Sequence, residues 1–128
     1  MTVSIAATPS DAMADELNAN EIGTSHKLNL HDSGDVILAT LTYSAANGVV
    51  GVVSGAAAIT YDEGNYTDDE TPANDGTVSY ATIATSGDAE MIRFTDPTTE
   101  LGLSSTSILT TEPVRVTTDV VVKLPDST

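Results

Sequence analysis

The chain has 128 residues and a formal net charge of −15, from 19 Asp and Glu against 4 Lys and Arg, with 4% aromatic residues and no Cys or Trp. That balance excludes nucleic acid and anionic membrane as partners, because phosphate binding depends on Lys and Arg displacing counterions. It also leaves few groups suited to catalysis, and the absence of Cys removes disulfides and thiolate–metal sites.

A chain of this length buries about two-thirds of its unfolded surface, enough for one core, here built from Val, Ile, Leu and Ala. Thr8-Pro9-Ser10-Asp11 reads as a helix start, with Thr8 as N-cap and Pro9 in the first turn. The helix is predicted from Pro9 to about Asn18. Met13 and Leu17, four apart, give it a narrow apolar stripe that Ile22 extends. Residues 1–24 are therefore expected to form an N-terminal arm with a short helix, and residues 25–128 the main domain.

From Ser25 the period changes to two. His26, Leu28 and Leu30 alternate with Lys27, Asn29 and His31 up to Asp32, a half-buried strand that sends the two histidines to opposite faces. Asp32-Ser33-Gly34-Asp35 is a turn. Val36 to Ser44 follows as its hairpin partner, with Ile37, Ala39, Leu41 and Tyr43 expected on one face. Asn47-Gly48 is a second hairpin signal. Val49 to Tyr61 then reads as one strand, bent where Gly51, Gly55 and the Ala run fall.

The segment from Asp62 to Gly76 holds six carboxylates and little to bury, and is predicted to be a long surface loop. Alternation resumes through Val78, Tyr80, Thr82 and Ala84. Gly87-Asp88 turns the chain into a strand from Met91 to Thr95, which Asp96-Pro97 ends. Leu101, Leu103, Ile108 and an alternating run from Val114 to Leu124 complete the pattern. The expected fold is all-β: a β-sandwich or jelly-roll-like domain of six to eight strands with one short N-terminal helix.

Chemistry-bearing constellations are few. Asp62, Asp68, Asp69, Glu70 and Asp75 offer hard oxygen ligands from one segment, but the spacing matches neither the alternate acids nor the Gly and Glu positions of an EF-hand loop. Gly51-Val52-Val53-Ser54-Gly55 has the wrong spacing for a nucleophile elbow. A carboxylate pair acting on sugar would need an aromatic-lined cleft that one Phe and four Tyr scarcely supply. Neither enzymatic activity nor a cofactor is expected.

The stretch Glu100-Leu101-Gly102-Leu103-Ser104-Ser105-Thr106-Ser107-Ile108, followed by the Val114–Leu124 strand, resembles a family of small tailed-bacteriophage virion proteins. Their early amphipathic helix, leucine-rich first strand and Gly/Ala-rich middle occur in the same order here. The resemblance implies a structural accessory of the virion. Its implied role is that of a capsid decoration or cement protein, bound to the outer surface of the shell of major capsid protein in many copies or as a homo-oligomer, with no catalytic residues. A −15 surface facing packaged DNA would be repelled, so the exterior of the capsid is expected. The expected contact with the shell is the apolar stripe Met13, Leu17 and Ile22 on an arm from Thr2 to Leu17. The alternatives are a head-to-tail joining or tail structural protein, and a Ca²⁺- or carbohydrate-binding β-sandwich module using the 62–75 loop.

Overall fold

The computed structural model describes residues 16–44, 48–53 and 56–123. Nine strands are described: β1 (Lys27–His31), β2 (Ile37–Thr42), β3 (Val49–Val53), β4 (Ala56–Tyr61), β5 (Gly76–Thr77), β6 (Tyr80–Ala84), β7 (Glu90–Phe94), β8 (Ser107–Ile108) and β9 (Val120–Lys123). Every pairing is antiparallel. They form a four-stranded sheet in the order β2-β1-β6-β7, a three-stranded sheet β3-β4-β9 and a small β5-β8 pair. Side chains from both larger sheets meet in one core, among them Leu28, Leu30, Leu41 and Ile83 of the first and Ile59, Tyr61, Val120 and Val122 of the second. The fold is all-β, as the period-two pattern predicts.

Two hairpins of the four-stranded sheet close with the same tripeptide, Ser-Gly-Asp. In the β1–β2 turn, one carboxylate oxygen of Asp32 accepts from Gly34 N (2.8 Å) and Val36 N (3.0 Å). In the β6–β7 turn, Thr85 N donates to Ala89 O (2.9 Å) and Asp88 N to Thr85 O (2.9 Å). Asp35 and Asp88 take the left-handed conformation at φ 66° and 70°, which Asp tolerates because its short side chain bonds locally. Each hairpin carries a register shift, at Leu30/His31 and at Ile83/Ala84.

Several expectations are corrected. The helix does not stop at Asn18. Its part from Pro9 to Asp15 lies outside the described residues, but Leu17–Ile22 forms a wide turn in which Gly23 N reaches back to Asn18 O (3.1 Å). Gly23, at φ 71°, is the residue that ends it. The β1–β2 shift makes Leu38 the extra residue, turning both Leu38 and Ala39 inward and leaving Ile37 40% exposed, so Ile37 does not share the core face. Val49 to Tyr61 is a hairpin rather than one bent strand. Val53 pairs with Ala56, which leaves only residues 54 and 55 to join β3 to β4. Asn47-Gly48 does not close a β2–β3 hairpin, because those strands belong to different sheets. In β6 the residues facing the core are Ala81 and Ile83, and Tyr80 lies on the outer face. The Val114–Leu124 run is not one strand: Val114 and Val116 make isolated bridges to Asp69 and Leu103 before β9 begins.

Candidate functional site

The 62–75 segment is not a free loop. It runs along the outer edge of β2 and takes up that edge's backbone groups. Thr67 N donates to Thr42 O (2.9 Å), Ala73 N to Leu38 O (2.9 Å), Ser44 N to Asn65 O (2.7 Å), and Thr40 N to the Asp69 carboxylate (2.9 Å). Tyr66 is buried, and so is Pro72. An open strand edge is a template for unwanted pairing, so a segment that fills it with its own donors and carboxylates has a structural task.

The five candidate carboxylates do not converge. Asp62 accepts from Gly64 N (2.8 Å), which starts the short turn Glu63–Asn65. Asp68 pairs with Arg115 (3.2 Å), and Asp69 accepts from Thr71 N (3.1 Å) as well as from Thr40 N. Asp75 accepts from Thr110 N (2.7 Å), and Glu70 is exposed. Each bonded Asp is spent on a different backbone group or on Arg115. Among the described residues no three His, Asp or Glu side chains are grouped to hold a metal ion.

The least expected cluster is at the centre of the core. His26 is 0% exposed and is surrounded by three of the four tyrosines. Its ring stacks on Tyr43 (centroids 4.8 Å, 20°), lies tilted against Tyr61 (4.5 Å) and meets the edge of Tyr66 (5.4 Å, 79°). Nε2 shares a 2.7 Å hydrogen bond with the Tyr66 hydroxyl, while buried Nδ1 has no partner among the described residues. Burial therefore holds the imidazole neutral, its pKa lowered to about 4. Burial pushes the Tyr61 and Tyr66 phenols well up, assisted by neighbouring tyrosines. The neutral imidazole is thus packed among three phenol rings and away from solvent.

The cage also reaches the N-terminal turn. The Asn18 side chain clamps Gly48 through both its groups, donating to Gly48 O (3.0 Å) and accepting from Gly48 N (3.1 Å). Tyr61 donates weakly to the same Asn18 oxygen (3.4 Å). A Cβ on Gly48 would come within 2.7 Å of the Tyr61 ring and 2.8 Å of Ile59, so this position excludes every other residue unless both side chains move. Of the expected shell contacts, Ile22 is buried in the chain's own core and Leu17 packs against that core. Met13 lies outside the described residues.

His31, on the opposite face from His26, stacks on Tyr80 across the β1–β6 pair (4.5 Å, 4°). Arg93 of β7 lies over the Tyr80 ring (4.4 Å) and pairs with Glu90 (2.9 Å). The Tyr80 hydroxyl donates to Asp35 (2.7 Å), and that bond raises its pKa. The result is a stacked row across three strands on the outer face. Neither cluster was legible as a unit in the sequence, because its members are separated by up to 62 positions and meet only through sheet register. The one available signal was the placing of His26 and His31 on opposite faces. No protein-family model, curated protein or solved structure matches the chain.

Proposed function

We propose that this chain is a non-catalytic structural accessory of a tailed-phage virion, a decoration protein bound to the outside of the major capsid protein shell. The observation that supports this reading is where the chemistry-bearing residues are used. His26 is buried in a tyrosine cage, and four of the acids in the 62–75 segment hold backbone groups or Arg115. What this leaves is a β-domain in a chain of net charge −15, suited to face solvent and unsuited to face DNA. Because Leu17 and Ile22 are engaged within the fold, the contact with the shell would rest on Met13 or on residues outside this stripe.

Quantitative mass spectrometry of particles purified from the encoding strain tests the proposal. A copy number comparable to that of the major capsid protein is expected. A small fixed number set by the single tail vertex would instead indicate a joining or tail part, and absence from the particle would overturn the virion reading altogether.

A further inference from the structure

Among the described residues, every edge of the two larger sheets is guarded except one. The 62–75 segment fills the edge of β2, β7 carries Glu90 and Arg93 and a register shift, and β9 is four residues long and ends on Lys123. β3, Val49-Val50-Gly51-Val52-Val53, has β4 as its only described partner strand and pairs with it in unbroken register. It has no charge, no Pro and no bulge, so its outer row of backbone N–H and C=O groups is a template for a further strand. No Asp, Glu, Lys, Arg or His occurs from Val36 to Tyr61, in a chain of net charge −15. Val49 is 72% exposed, whereas Val50 packs against the core.

The occupant that fits this edge is the same strand of a second copy. Val-Val-Gly-Val-Val reads alike in both directions, so antiparallel pairing about Gly51 sets valine opposite valine at the four remaining positions and Gly51 opposite its counterpart on a two-fold axis. The glycine has no task within its own chain: its backbone is not left-handed, and an added Cβ would meet nothing within 4 Å. Glycine weakens a strand interior, and close approach of another backbone is a reason to hold one there. Charge selects the direction of pairing. Asp62 and Asp119 border the cleft that Val49 lines together with Thr60, its neighbour on β4. Parallel pairing would bring two such acidic ends side by side. Antiparallel pairing sets them four strand rises apart, about 14 Å, beyond the screening length of about 8 Å in physiological salt. We infer that, independently of any place in a virion, two copies of this chain pair antiparallel through β3 about Gly51, joining their three-stranded sheets into one continuous sheet.

Sedimentation velocity of the full chain from micromolar to millimolar concentration should show a monomer giving way to a dimer. Gly51→Lys places like charges opposite each other on the axis and should abolish that dimer, although it makes the chain less negative and would relieve any general repulsion between copies. Its Cβ has open space in the monomer, so the circular dichroism of the variant should match that of the parent. The absence of native cysteines allows a second readout. Facing Cα atoms of an antiparallel pair lie within disulfide reach, so Gly51→Cys should give a covalent dimer on oxidation. Val49→Cys, equally accessible but set against Val53 of the second copy, should remain largely monomeric. A chain that stays monomeric at every concentration, a dimer that survives Gly51→Lys, or crosslinking of Val49→Cys equal to that of Gly51→Cys would each overturn the inference.

Discussion

Acidification should weaken this fold through one residue, His26. Its imidazole is lowered from 6.5 to about 4 because protonation would place a charge in the tyrosine cage, where Nδ1 finds no acceptor among the described residues. Between those two pH values the unfolded chain binds a proton that the folded chain does not, so stability rises with pH there and is fully present above 6.5. The difference between the two pKa values corresponds to about 3 kcal/mol, lost as the pH falls toward 4. For a domain whose total stability is of the order of 5–15 kcal/mol, that is a large fraction. The assay is urea unfolding at steps from pH 7 to pH 4 for the native chain and for His26→Phe. Phenylalanine keeps a ring against Tyr43 but cannot be protonated, and it leaves the Tyr66 hydroxyl unpaired at a cost of about 1–3 kcal/mol at pH 7. The carboxylates are common to both proteins, so the gap between the curves isolates His26. It should close or reverse by about 3 kcal/mol between pH 6.5 and pH 4. A gap that stays constant would refute the argument that the imidazole is held neutral.

Gly48→Ala should destabilise the chain by about 1–3 kcal/mol in denaturant unfolding, because the added Cβ meets the Tyr61 ring at 2.7 Å and Ile59 at 2.8 Å. Asp69→Ala removes the acceptor for both Thr40 N and Thr71 N and should cost about 1–3 kcal/mol, with faster exchange of the Thr40 amide. Asp69→Asn, which keeps one carbonyl oxygen, should recover part of that loss. Calorimetric titration of the full chain with Ca²⁺ is expected to show no saturable site, since the carboxylates of the 62–75 segment point to separate partners. A stoichiometric heat abolished by changing Asp68, Asp69 and Glu70 to Asn or Gln would reverse that reading.

The strands and turns were legible where the cause is local. Alternation placed Leu28 and Leu30 of β1, and His26 just before it, on one buried face, and Asp32-Ser33-Gly34-Asp35 turned where the Asp32 side chain caps two backbone N–H groups. Reading failed where a single extra residue changed the face. The shift beside Leu38 exposed Ile37, and the two residues between Val53 and Ala56 made two strands of one. Gly55 was read as a bend inside a strand, although a Ser-Gly pair between two apolar runs is also a turn signal.

The acidic segment shows the same division. Its charge and its lack of apolar residues follow from composition, and composition alone implies an exposed loop. What could not be read was its engagement with β2, because a carboxylate bonded to the backbone N–H of Thr40, 29 positions away, leaves no local pattern. The tyrosine cage is a still clearer case. Periodicity assigned His26 to one face of one strand, and this follows from covalent geometry. Whether that face met water, a metal or three phenol rings depended on Tyr43 just after β2, Tyr61 at the end of β4 and Tyr66 arriving from elsewhere in the chain. Residue identity and spacing determine which side of an element a group occupies. Only the packing of elements distant in sequence decides what it touches, because those contacts arise from burying apolar surface jointly and not from any neighbour along the chain.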